Sequence, residues 1–170
     1  MLDGRFRLQH CKLTAYTTYN KESMTRDEMM KSLGYCGLMC RLCFQGAKCR
    51  GCKSAHNSSQ EVLCDEGCYQ KKCCIAKGNK GCWQCDDIYT CIEGIYSLGN
   101  YSKIKAFAIC MKEDGKEFFI DQILKNMERE LSVEKGKDYD NKHISEVLNM
   151  IRETNEGTTK GPTSHKHIIM

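Results

Sequence analysis

Proline is almost missing from this 170-residue chain, which has one. With so few forced breaks, and with 28% charged residues, the composition suits a soluble, helix-leaning protein. Long apolar runs are missing too. Nothing approaches the roughly 20 consecutive apolar residues of a membrane span, so no membrane partner is expected. The opening "MLDGRFRLQHCKLTAYTTYNKE" lacks the apolar run of about 7–15 residues that a secretory signal needs. No strand–helix alternation and no internal repeat can be found, which leaves little or no sheet to expect. A convincing Ser, His or carboxylate constellation for catalysis is also lacking, so the chain leans away from being an enzyme.

Cysteine, by contrast, is abundant. Of fourteen, only Cys11 and Cys110 fall outside residues 36–91. Such density means either disulfides in a secreted fold or metal in an intracellular one. Without a signal segment, the expected compartment is a reducing cytoplasm, where disulfides do not persist. The Asn57-Ser58-Ser59 and Asn100-Tyr101-Ser102 sequons are then chance matches, and metal is the expected staple.

Three C-x2-C pairs support this: Cys40/Cys43, Cys49/Cys52 and Cys82/Cys85. Two thiolates at that spacing bind one ion from a single tight turn, as in a zinc knuckle. Cys49-Arg50-Gly51-Cys52 fits best, since Gly51 permits the positive φ such turns often use. Cys36, Cys64, Cys68, Cys73 and Cys91 complete the candidate ligands. Zinc is the default ion, with about two per chain, because thiolate tetrads are its usual structural site. An iron–sulfur cluster takes the same donors, although the two-cluster ferredoxin run C-x2-C-x2-C-x3-C-P does not occur here. His56 is the only histidine placed to rival a cysteine; His143 belongs to the helical half, and His165 and His167 to the tail.

Eight thiolates on two divalent ions would bring the formal +4 to zero. The Lys and Arg residues among the cysteines (Arg41, Lys48, Arg50, Lys53, Lys71, Lys72, Lys77, Lys80) are then expected to offset thiolate charge. Another protein is therefore the expected partner, ahead of nucleic acid, whose binding needs a larger basic excess and stacking aromatics.

The order of elements follows from periodicity. Residues 1–30 carry no sustained apolar period and read as a mobile segment or an extension upstream of a start at Met24, Met29 or Met30, with His10 and Cys11 outside the ligand set. "EVLCDEGCYQKKCCIAKG" is rich in helix formers and ends at Gly78, a natural C-terminal cap; helical spacing puts Cys64 and Cys68 on one face. Ile88, Cys91, Ile92 and Ile95 suggest a helix from Asp86 or Asp87 to Gly99. Further helices are expected around 103–111, along the stripe Ile120, Ile123, Leu124, Met127 and Leu131, and along Ile144, Val147, Leu148 and Ile151. Asp138, Tyr139 and Asp140 read as a helix cap with a solvated turn, and residues 154–170 as a disordered tail. The fold class is mainly α: an irregular cysteine-rich, metal-stapled segment followed by three or four packed helices, forming one domain over residues 31–153.

The cysteine order resembles that of the bacterial and archaeal cysteine-rich proteins grouped as domain-of-unknown-function family 3795. That family opens C-G-L-x-C-x2-C, matched by Cys36-Gly37-Leu38-Met39-Cys40-Arg41-Leu42-Cys43. A C-x-G-C follows at Cys49 to Cys52. Next comes C-x4-C-A-x2-K-G-x3-C-x2-C, from Cys68 through Cys73, Lys77 and Gly78 to Cys82 and Cys85, and then a last cysteine at Cys91. The similarity extends into "KAFAICMKEDGKEFFIDQILKNMERE" and "GKDYDN" and covers roughly residues 35–152. It implies zinc binding and no particular reaction. Cys74 stands where the family tends to have alanine, which implies a small buried residue and not a ligand. Thr90 replaces the usual proline, and one extra residue separates Cys85 from Cys91, so Cys91 departs from the pattern.

Two enzyme readings compete. Cys36, Cys40 and Cys43 have the C-x3-C-x2-C spacing of radical enzymes that cleave S-adenosylmethionine on an iron–sulfur cluster. Leu42, however, holds the usual aromatic position, and the strand–helix units of the cofactor barrel are missing. "CWQC" at Cys82–Cys85 has the C-x2-C spacing of thiol–disulfide catalysts, but lacks the strand–helix context such a motif requires.

Overall fold

The computed structural model describes residues 25–40, 52–53, 68–98, 101–133 and 137–153. The expectations for residues 1–24, for the tail from 154, and for Cys11, Cys43, Cys49, His56 and Cys64 lie outside the described residues. Among the described residues the chain is mainly helical and has no strand; Leu33 and Met39 form an isolated bridge.

Among the described residues, five α-helices follow one another: α1 (Arg26–Lys31), α2 (Tyr69–Ala76), α3 (Ser102–Glu113), α4 (Lys116–Glu128) and α5 (Ile144–Arg152). Three short 3₁₀ turns, Cys82–Gln84, Asp86–Tyr89 and Gly94–Ser97, lie between α2 and α3. Helix α3 is the centre. Every residue from Lys103 to Met111 is buried, as expected of a helix covered on all sides. One side of α3 carries Phe107 against Phe119 and Tyr139, with ring centroids 5.2 and 5.7 Å away. Its other side carries Ala108 and Ile109 into a second cluster with Cys74, Cys82 and Ile88. The helical half thus lends apolar surface to the cysteine-rich half.

Helices α4 and α5 bury the stripes read in the sequence. Ile120, Ile123, Val147 and Ile151 are fully buried, and Leu124, Met127, Leu131, Ile144 and Leu148 pack at the edge. Helix α1 extends the packed unit to the N-terminal side of residue 31. Thr25 and Glu28 form a reciprocal capping box, Met29 is fully buried, and Arg26 forks onto Asp121 of α4. Helix α1 is thus tied to the packed helices through Met29 and Arg26.

Two sequence expectations are corrected. The helix expected from Asp86 to Gly99 is replaced by two 3₁₀ turns with an irregular stretch between them. The backbone there is satisfied by side chains rather than by a helical ladder. Lys105 Nζ donates to the carbonyls of Tyr89 and Cys91, both at 2.9 Å, and the Gln70 amide bonds Glu93 O and Ile95 N. Ile92 is consequently 69% exposed, and Ile88 is the buried member of that stripe. The second correction concerns Asp138, Tyr139 and Asp140, which do not cap α5; His143 does. Asp138 accepts the backbone N–H of Ser132 at 2.8 Å, Tyr139 is fully buried, and Asp140 pairs with the buried ammonium of Lys103.

Candidate metal and thiol centre

The "CGLMC" stretch folds back on itself. Gly34 N–H donates to Leu38 O at 2.8 Å, and Cys40 N–H to Ser32 O at 2.7 Å. Gly37 sits at φ +99°, and a Cβ there would meet Ala108 of α3 at 3.1–3.2 Å. Only glycine gives that turn both its left-handed backbone and its close seat on α3. The turn carries Cys40 to Cys52, whose sulfur lies 3.9 Å away. The Tyr35 N–H donates to Cys52 Sγ at 3.2 Å.

A metal ion at about 2.3 Å from each of four thiolates sets tetrahedral edges of about 3.8 Å. The Cys40–Cys52 separation matches such an edge, and the Tyr35 N–H supplies the backbone hydrogen bond a metal-bound thiolate accepts. The Cys40 sulfur and burial together push the Cys52 thiol far above its ordinary value, so the pair needs a cation to become dianionic. Lys53 lies beside it with its ammonium over the Trp83 and Tyr35 rings, at 4.8 and 5.4 Å from their centroids. These two cysteines fit as half of a thiolate tetrad.

The same Tyr35 links this pair to the second group of thiols, because its carbonyl accepts the Cys82 N–H at 2.8 Å. Helix α2 presents Cys73 and Cys74. It ends as the sequence suggests: Gly78, at φ +68°, bonds Ile75 O, and Asn79 N–H bonds Cys74 O, a paired C-terminal cap. The chain then returns through Gly81 to Cys82 and Cys85. Cys73, Cys74, Cys82, Cys85, Cys91 and Lys77 line one cavity of about 180 Å³. Within it the sulfurs of Cys74 and Cys82 lie 3.7 Å apart. Lys77 Nζ lies 3.5 Å from Cys85 Sγ and 2.8 Å from Asp87 Oδ2, so its ammonium stands beside a carboxylate and a thiol.

Within the Cys74–Cys82 contact either thiol can be the donor, and the pull on the pKa is downward at Cys82 and upward at Cys74. The hydrogen bond with Cys74 pulls the Cys82 pKa down against the effect of burial, helped by the Lys77 ammonium. Cys74 is pushed up, by its bond to Cys82 and by burial. Tyr96 is half of a further link, donating its phenol hydroxyl to Cys36 O at 2.7 Å. Cys68 stands at the N-cap of α2, with its thiol pushed up by burial.

Of the eleven candidate ligands, then, Cys40 and Cys52 meet as a pair, while Cys73, Cys82, Cys85 and Cys91 share one cavity. Cys36 and Cys68 occupy the neighbouring turn and helix start. Among the described residues, no three His, Cys, Asp or Glu side chains converge as a metal ion requires. Cys74, which the sequence marks as a small buried residue, is indeed buried, yet its sulfur faces Cys82. Tyr35 and Tyr96 carry no sequence signal; their roles depend on backbone and hydroxyl contacts that no spacing reveals.

These features define a helical, cysteine-rich protein organised around clustered thiols. No family model, no curated protein and no solved structure matches the chain. Among the described residues, no helix is long and apolar enough to cross a membrane.

Proposed function

We propose that this chain is a cytoplasmic zinc-binding scaffold whose ions hold its cysteine-rich half against the helical half, and whose outer surface recognises another protein. The observation that carries this reading is the 3.9 Å approach of Cys40 and Cys52. Each is one member of a C-x2-C pair, so Cys43 and Cys49 are the remaining ligands that spacing assigns to the same ion. A second ion falls to four of Cys36, Cys64, Cys68, Cys73, Cys82, Cys85 and Cys91, on cysteine order and on the cavity that Cys73, Cys82, Cys85 and Cys91 share. The resemblance to the cysteine-rich family supports the same assignment. Bound as thiolates, these ligands hold an ion within a segment that has little core of its own, so binding energy becomes folding energy.

Anaerobic purification followed by metal analysis and a visible spectrum tests the proposal. A colourless protein with about two zinc ions per chain is expected. A brown protein containing iron, with broad visible absorption, would replace zinc by an iron–sulfur cluster. A chelator should melt the far-ultraviolet signal of α2 and the 3₁₀ turns; retention of the full native spectrum without metal overturns the scaffold reading.

A further inference from the structure

We propose that Cys74 and Cys82 form a redox pair, converted by a peroxide-class oxidant into an intramolecular disulfide and restored by a dithiol. The inference goes beyond the zinc scaffold: Cys74 stands outside every ligand set assigned above, while Cys82 belongs to the second, so closing the pair and holding the second ion through Cys82 exclude each other.

Three features carry it. The first is proximity: the sulfurs are 3.7 Å apart, and a disulfide of about 2.05 Å requires them to close by less than about 2 Å. The second is the way the two residues are held. Cys74 sits on α2, whose C-terminal cap is closed by Gly78 and Asn79. Cys82 is anchored through its N–H to Tyr35 O. The segment between them is short and passes through Gly78 and Gly81, and both cysteines pack with Ala108 and Ile109 of α3. The third is access. Both thiols are buried, at 2% and 8% exposure, yet both lie on the wall of a cavity of about 180 Å³. That volume leaves room for a molecule the size of hydrogen peroxide.

The chemistry balances without a cofactor. The Cys82 sulfur attacks one peroxide oxygen and breaks the O–O bond, giving a sulfenic acid on Cys82 and releasing water once the departing hydroxide takes a proton. The Cys74 sulfur then attacks Cys82 Sγ, the S–S bond forms, and the sulfenic hydroxyl leaves with the Cys74 proton as a second water. Two electrons pass from the thiol pair to the peroxide. A dithiol reverses the bond by exchange and is itself oxidised. Closing the pair also withdraws Cys82 from the second thiol group, so oxidation would remodel that group while leaving the Cys40–Cys52 pair untouched.

The test is hydrogen peroxide titration of the full purified chain, followed by alkylation and peptide mass mapping. The expected product is a Cys74–Cys82 crosslink that has lost two hydrogens and disappears on treatment with dithiothreitol. In Cys74→Ala the yield of Cys82 sulfinic acid rises, since the sulfur 3.7 Å away that resolves the sulfenic acid is gone. Cys74→Ser is the second variant should alanine impair folding, and it is expected to give the same result. A crosslink joining Cys82 to Cys85 instead overturns the proposal, as does a fully reduced Cys74 after Cys85 has been oxidised. Zinc bound at Cys40 and Cys52 should be unchanged in Cys74→Ala, so failure of the redox pair and failure of the scaffold are read separately.

Discussion

The sulfurs of Cys40 and Cys52 lie 3.9 Å apart, and the space beside them is held open by Gly34. A Cβ at position 34 would meet Cys52 Sγ at 2.9 Å, Cys40 Sγ at 3.1 Å and Leu38 O at 3.1 Å. One of those neighbours is backbone and the other two are the candidate ligands, so relief must come from the thiols. Gly34→Ala is expected to spread the pair, to remove one ion's worth of metal, and to destabilise the fold by about 1–3 kcal/mol through overpacking. Metal analysis beside a denaturant titration checks this; unchanged metal content in a folded variant contradicts the pairing.

Lys103 and Asp140 make a second close relationship, this one inside the helical half. Their side chains are 5% and 11% exposed, and Lys103 Nζ also donates to Val133 O at 3.0 Å. Removing one member of such a pair leaves a buried charge uncompensated. Asp140→Ala is therefore expected to cost about 3–5 kcal/mol in urea unfolding, while the double replacement Lys103→Met with Asp140→Leu costs less than the single one. Equal losses in both would mean that the packing, and not the charge, is what matters there.

The limits of sequence reading follow from these contacts. Helices α4 and α5 are legible because their apolar stripes repeat at helical spacing and end up in the core. The end of helix α2 is legible through its glycine cap; its start is not, since Cys68, expected on a helical face with Cys64, is an extended N-cap residue. The stretch after Cys85 misleads because Ile88, Cys91, Ile92 and Ile95 imitate a helical stripe. The ammonium of Lys105 and the amide of Gln70 claim that stretch's carbonyls, and such tertiary capping leaves no periodic trace. Met29 escapes notice for a different reason: a six-residue helix is too short to show a period, and its burial depends on α4. At the thiol centre, spacing picks out the cysteines as a group. It cannot foresee that Cys74, beside a more regular Cys73, faces Cys82, since one residue on a helix changes direction by about 100°.

Lys105 offers a more local test. Its ammonium satisfies two backbone carbonyls at once, and the residue is only 9% exposed. Lys105→Met keeps the length of the stem and removes both bonds. The expected cost is about 1–3 kcal/mol for each carbonyl left without a partner, less whatever water recovers. The local consequence is sharper: Cys91 should alkylate faster than in the parent chain, while Cys110, buried in α3, keeps its rate. An unchanged Cys91 rate would show that the 3₁₀ turns hold without Lys105.

Acid should dismantle the protein in two stages, because its anionic groups protonate in different ranges. Thiolates must be deprotonated to hold an ion, so acid competes directly with the metal, and this stage comes first as the pH falls. The carboxylates follow. Asp138 is held below its ordinary range by the Ser132 N–H, Asp121 by its hydrogen bond to Arg26, and Asp87 by its hydrogen bond to Lys77. A depressed folded-state pKa means that the stabilisation is fully present above the unfolded value, near about 3.9, and is lost as pH falls through the folded value. Circular dichroism during an acid titration should therefore show a higher-pH step that a chelator abolishes and a lower step that it leaves in place. Asp138→Ala frees Ser132 N–H from its acceptor and should shift only the lower step, toward higher pH. A single step, insensitive to chelator, would separate the thiol centre from the stability of the fold.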